Sequence, residues 1–115
     1  MKKYYPLICL IISLGLFTPY AQAFNIAQNI CEYIAADDKK RLRKLLKTNH
    51  LKLRKLYGEI ACNGQNMMVF SAKRQAKDIG ELLTKKLPKS VLKENLAEVE
   101  GLSPDIANFM KERIQ

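Results

Sequence analysis

CEYIAADDKKRLRKLLKTNHLKLRKLYGEIACNG, residues 31–64, is the stretch from which the fold is read. Two cysteines bracket it, and nine lysines and arginines lie between Lys39 and Lys55 with no acidic residue among them. Leu42, Leu45 and Leu46 fall on one face of a helix over Lys39–Thr48, with Lys39, Lys40, Arg43, Lys44 and Lys47 on the other. Asp37 and Asp38 precede it and suit capping, because a carboxylate meets the positive end of the helix dipole. A lone Asp-Asp pair without further ligands is a poor metal or acid–base site. Thr48-Asn49-His50 reads as a break. Helical spacing resumes over Leu51–Ile60 through Leu53, Leu56, Tyr57 and Ile60, with Lys52, Arg54 and Lys55 outside. The alternation Leu51-Lys52-Leu53-Arg54 also fits a short strand, and Gly58 weakens the helix end. Cys62-Asn63-Gly64 is a turn, since Asn-Gly suits positive φ.

Upstream, Asn25 can cap a helix starting at Ile26, with Ile26, Ile30 and Ile34 on its apolar face and Tyr33 flanking it. Residues 1–23 read as a secretory signal peptide. Lys2 and Lys3 form the basic start, Leu7–Phe17 the apolar run, and Ala21-Gln22-Ala23 a small-x-small site with cleavage after Ala23. Pro6 and Pro19 bracket too few residues for a spanning helix, which needs about 20. Cys9, inside the apolar run, is assigned no role. The expected location is therefore periplasmic or secreted, with residues 24–115 as a single mature domain and no transmembrane segment after cleavage.

That compartment decides the cysteine chemistry. Two cysteines in an oxidising space are expected to pair, as Cys31–Cys62, because no C-x-x-C supports a redox-active reading. Closing a loop of this length stabilises the fold by about 3–4 kcal/mol on chain-entropy estimates.

Downstream, Met67–Leu87 runs helically through Met68, Ala72, Ala76, Ile79, Leu82 and Leu83. Gly80 disfavours one long helix, so two shorter ones with a bend near Arg74-Gln75 are expected. Met67-Met68 reads as pliable core filling. Ser90 is expected to cap a helix over Val91–Glu100, with Gly101 at its C-terminal cap. Ser103-Pro104 starts a last helix whose stripe is Ile106, Phe109, Met110 and Ile114. Residues 30–88 form the core helical pairs and 89–115 a C-terminal helical extension.

Two segments echo each other at a spacing of about 37 residues, IAADDKKRLRKLLK (34–47) and FSAKRQAKDIGELLTK (70–85). The second, read from NGQNMMVFSAKRQAKDIGELLTKKL, resembles an ankyrin repeat. Asn63-Gly64 stands at the turn, Ser71-Ala72 at the Ala-Ala pair, and Ile79 with Leu82-Leu83 in the second-helix core. Met67 replaces the family's proline and Gln75 its glycine. The resemblance implies an all-α domain of antiparallel helix pairs with ankyrin-like packing, to which the expected Cys31–Cys62 pairing adds one disulfide staple. Over residues 30–88 the chain also resembles the small secreted bacterial family known as domain of unknown function 3718. This rests on Cys31-x-Tyr33-x-Ala35-Ala36-Asp37-Asp38-Lys39, Arg41-Leu42-Arg43, Leu53-Arg54-x-x-Tyr57, Cys62-Asn63-Gly64 and Ala76-x-x-x-Gly80. It implies a secreted domain with paired cysteines and no assigned activity.

After cleavage the chain carries 18 basic against 11 acidic residues. The excess is concentrated before residue 94, and the last 22 residues are mildly acidic. Such a balance favours anionic partners through long-range attraction. The expected anion-binding face comprises Lys39, Lys40, Arg43, Lys44, Lys47, Lys52, Arg54 and Lys55. The same run equally fits a merely solvated helix face. With one histidine, His50, and no nucleophile elbow, metal-ligand cluster or cofactor motif, the chain does not read as an enzyme. The expected partner is an anionic envelope component or, alternatively, an envelope protein contacted through the ankyrin-like helical surface. Export and the few aromatics argue against nucleic acid.

Overall fold

Apolar residues at helical spacing, interrupted by polar turns, produce seven helices among residues 20–115, the part of the chain that the computed structural model describes. They are α1 (Tyr20–Ala35), α2 (Lys39–Thr48), α3 (Leu53–Leu56), α4 (Met67–Lys73), α5 (Lys77–Lys86), α6 (Lys89–Leu102) and α7 (Pro104–Ile114). The fold is all-α, with one isolated bridge, Cys62 to Gln65, among the described residues. Most of the stretch read as a signal peptide lies outside those residues.

Helices α1 and α2, α4 and α5, and α6 and α7 pack as three antiparallel pairs. Each pair also packs on its sequence neighbour: α1 meets α4 and α4 meets α6, while α2 meets α5 and α5 meets α7. The chain is thus a row of three helical hairpins in two layers. The segment expected as a C-terminal extension is the third hairpin of that row. Ile30 and Ile34 of α1, Met67 and Met68 of α4, Ile79 and Leu83 of α5, and Ile106 and Met110 of α7 are fully buried between the layers.

The turns explain the hairpins. Asp37, His50 and Gln75 have φ of 52°, 54° and 57°. Each follows a helix and closes it with the paired hydrogen bonds of a left-handed C-terminal cap. The Asp37 and Asp38 N–H groups donate to Ile34 and Tyr33 carbonyls at 3.0 and 2.8 Å. Those of Gln75 and Ala76 donate to Ala72 and Ser71 at 3.1 and 2.8 Å. Those of His50 and Leu51 donate to Lys47 and Leu46 at 3.3 and 2.8 Å. The repeat seen in the sequence is therefore a repeat of turns, at Asp37 and at Gln75. The side chains of these two residues also join one hairpin to the next. The Asp37 carboxylate accepts from the Asp78 and Ile79 N–H groups at 3.2 and 2.9 Å, capping α5, whose own N-cap residue Ala76 has no acceptor. Gln75 Nε2 donates to the Leu102 carbonyl at 2.8 Å, at the end of α6.

Local signals placed several elements well. Asp38 caps α2 through the Arg41 N–H, Ser103 caps α7 with Pro104 in its first turn, and the bend at Arg74-Gln75 separates α4 from α5. Asn63 and Gly64 both take positive φ in the expected turn. Four expectations need correction. Helix α1 runs from Tyr20 through Asn25, so Asn25 lies inside the helix rather than at its start, and the good helix formers Ala21-Gln22-Ala23 extend it. Asp37 caps α5 rather than the helix that follows it. Helix α6 starts at Lys89 with Pro88 in the cap position, and runs through Gly101 to Leu102. Leu51–Ile60 holds a single helical turn, α3, with no side-chain cap at Lys52, and the chain beyond Leu56 unwinds towards Cys62.

Cys31 and Cys62 are bonded, with 5.5 Å between their α-carbons, so the end of this long connection is tied to α1. Within α5, Gly80 lets that helix and α7 approach closely. A β-carbon placed there would lie 2.5 Å from Ile106 Cδ1 and 2.7 Å from its Cγ1.

Glycine to alanine in a helix normally stabilises by about 1 kcal/mol, but Gly80→Ala is expected to lose about 1–3 kcal/mol through overpacking. Urea unfolding measures this, and a double-mutant cycle with Ile106→Val should show favourable coupling. Asp37→Ala is expected to lose about 1–2 kcal/mol through the missing cap and its left-handed backbone. Asp37→Asn, which keeps an acceptor and tolerates that backbone, should lose less in the same assay.

Candidate functional site

Helix α2 buries Leu42 and Leu46, which turns Lys39, Lys40, Arg43, Lys44 and Lys47 to solvent. At His50 the chain leaves α2, and α3 packs against α5. Between these elements lies a groove of about 850 Å³. Its floor is apolar, made by Leu46, Leu51, Leu53 and Leu82. Its walls are cationic: Arg43, Lys44 and Lys47 come from α2, Lys52, Arg54 and Lys55 from the α3 segment, and Lys86 from α5.

Six of the eight residues expected to form an anion-binding face thus share one groove. Lys39 and Lys40 do not line it; they are exposed on the first turn of α2. Lys86 was missed. It follows Lys85 at the end of α5, an ordinary place for cations beside the negative end of the helix dipole. Only the packing of α5 on α2 brings it to the others. Arg41, the ninth cation of the run, pairs with Asp38 at 3.4 Å and is also outside the groove. Among the described residues no carboxylate forms an ion pair with any of the seven wall residues. Residues 1–24 contain no aspartate or glutamate at all.

A family model described as a protein of unknown function (DUF3718) matches residues 30–94, more than half of the chain. The chain belongs to the DUF3718 family. No curated protein and no solved structure matches it. The DUF3718 match takes in Cys31, Cys62 and every residue lining the groove.

What holds the α3 wall in place is partly outside the family match. Tyr57, just past α3, accepts a hydrogen bond at 3.0 Å from Nδ2 of Asn95 in α6. Asn95 is buried, and its Nδ2 also donates to the Val91 carbonyl at 2.8 Å. Its Oδ1 accepts from Asn66 Nδ2 at 2.9 Å, while Asn66 Oδ1 caps α4 through the Val69 N–H. One amide therefore ties the basic segment, the second hairpin and the third. Neither asparagine stood out in the sequence, because polar residues within or ahead of a helix carry no local sign of a long-range partner.

Burial raises the Tyr57 phenol above the usual tyrosine range; donation from Asn95 works against this, and Glu94 and Glu98 add to the rise. The native state thus holds the phenolic proton more tightly than the unfolded chain. This contribution to stability is complete below the unfolded value of about 10 and is lost as pH rises through the native one. Chemical denaturation between pH 9 and 12 should show part of the alkaline destabilisation disappearing in Tyr57→Phe. At neutral pH the same substitution should lose about 1 kcal/mol with the hydrogen bond.

Proposed function

We propose that this protein is an exported, non-catalytic binding module that engages an anionic component of the cell envelope through its basic face. The observation that carries this reading is the cluster of seven exposed cations around one groove with no ion-paired carboxylate among the described residues. A fold that needed these charges only for solubility would be expected to intersperse both signs, as it does on α6 and α7. The leader-like residues 1–23 and the disulfide support an oxidising destination, periplasmic or secreted. Each basic residue near an anionic membrane contributes about 1 kcal/mol, falling off within a Debye length. His50 has a structural part as the left-handed residue closing α2 and is given no catalytic role.

A second reading is a protein–protein module of the envelope that uses an ankyrin-like helical surface. The two-layer row of hairpins supports it, since stacked helical pairs present extended surfaces to partners. Recovery of one stoichiometric envelope protein at moderate salt, with no vesicle binding, would favour this second reading.

The test uses the chain expressed from its full sequence and purified with its disulfide intact. Co-sedimentation with phosphatidylglycerol-containing vesicles is expected to survive about 0.15 M salt, with little binding to neutral vesicles. Replacing Lys40, Arg43, Lys44 and Lys47 by glutamine together should weaken it at least about tenfold. Binding that vanishes at that salt, or that ignores the four substitutions, would overturn the proposal.

A further inference from the structure

The groove is more than a charged surface. Leu46, Leu53 and Leu82 belong to the core, yet each lends an edge to the groove floor, and Leu51 is half exposed there. A face meant only for headgroups or polyanions has no use for such an edge: Leu51 is partly exposed beside the buried Leu46, Leu53 and Leu82, and open apolar surface costs about 25 cal/mol per Å². Its volume of about 850 Å³ lies within the range of small-molecule sites, about 300–1,000 Å³. The polar groups around it are all donors of one charge sign, and two are arginines on different elements, Arg43 and Arg54. Guanidinium groups pair with phosphate or carboxylate through two parallel hydrogen bonds, which a flat arrangement of lysines does not offer.

We infer that the groove holds one anionic amphiphile, an acyl chain on the leucine floor with its phosphate or carboxylate head between Arg43, Arg54 and Lys86. The inference rests on the anionic-envelope reading above and narrows it from a surface to a single bound molecule. The chemistry of the two parts is complementary. The chain lies against Leu51 and the open edges of Leu46, Leu53 and Leu82, and the head neutralises cations that no carboxylate among the described residues pairs. Neither half of the ligand satisfies the site alone. An inorganic anion leaves the floor wet, and a neutral chain leaves the cations unpaired.

Isothermal titration of the oxidised, full-sequence-expressed protein with dodecyl phosphate, below its micelle concentration, provides the test. One equivalent is expected to bind, at least about tenfold more tightly than inorganic phosphate or dodecyl maltoside. Lys86→Gln, remote in sequence from the basic run, should weaken dodecyl phosphate several-fold. Leu51→Asp, at the half-exposed edge of the floor, should abolish its advantage over inorganic phosphate, with circular dichroism unchanged. Equal affinity for dodecyl phosphate and inorganic phosphate overturns the groove inference. So does indifference to both substitutions. If anionic vesicles bind and dodecyl phosphate does not, the groove inference fails while the surface reading stands. If neither binds, both fail.

Discussion

The bond between Cys31 and Cys62 constrains the part of the molecule that has the fewest other restraints. From Asn49 to Asn66 the chain has one turn of helix, and a covalent tie to α1 fixes its far end. Its near end is fixed by the left-handed turn at His50, and its middle by Tyr57 on Asn95. Together with the packing of α3 on α5 and the buried Leu53, these three anchors hold the Leu51–Lys55 wall opposite α2 and give the groove its second side. The disulfide is therefore also a clamp that helps a mostly irregular segment present the three cations and two leucines of Leu51–Lys55 in a fixed place.

The three hairpins are held in a row by packing and by turn residues that do two things at once. Asp37 and Gln75 each take the left-handed backbone that ends a helix, and each sends its side chain to a neighbouring hairpin. Glycine would suit the backbone better, since it has no β-carbon penalty. It would also remove the carboxylate that caps α5 or the amide that meets Leu102. The retention of side chains at these positions is intelligible as a compromise between local conformation and the joint between hairpins.

Much of this was legible in the chain because the signals are local. Asp38 ahead of a leucine stripe, Ser103-Pro104 and Asn63-Gly64 each act within four residues, and the structure places elements where they indicate. The cysteine pairing followed from the two cysteines of the segment expected to be mature and from the oxidising context expected for it. What was not legible depends on contacts between distant residues. The capping of α5 by Asp37 crosses about forty positions, and Lys86 joins the basic wall only through packing of α5. The segment Leu51–Ile60 has helical spacing, but its lack of a cap, Gly58 and the tie at Cys62 limit it to one turn. The groove itself has no sequence signature, because its floor is made of residues that read simply as core.

Because each hairpin packs on the hairpin next to it in sequence, most contacts join residues that are not far apart along the chain. Such topologies close short loops first and need little searching among distant partners, so helical chains of this kind fold in microseconds to milliseconds. The middle hairpin, α4–α5, touches both others and is the natural place for order to begin and spread in either direction. Formation of the Cys31–Cys62 bond belongs to a slower class of events, seconds to hours. The two sulfurs would then meet on a scaffold already assembled, which makes oxidation a step that locks the fold rather than one that directs it.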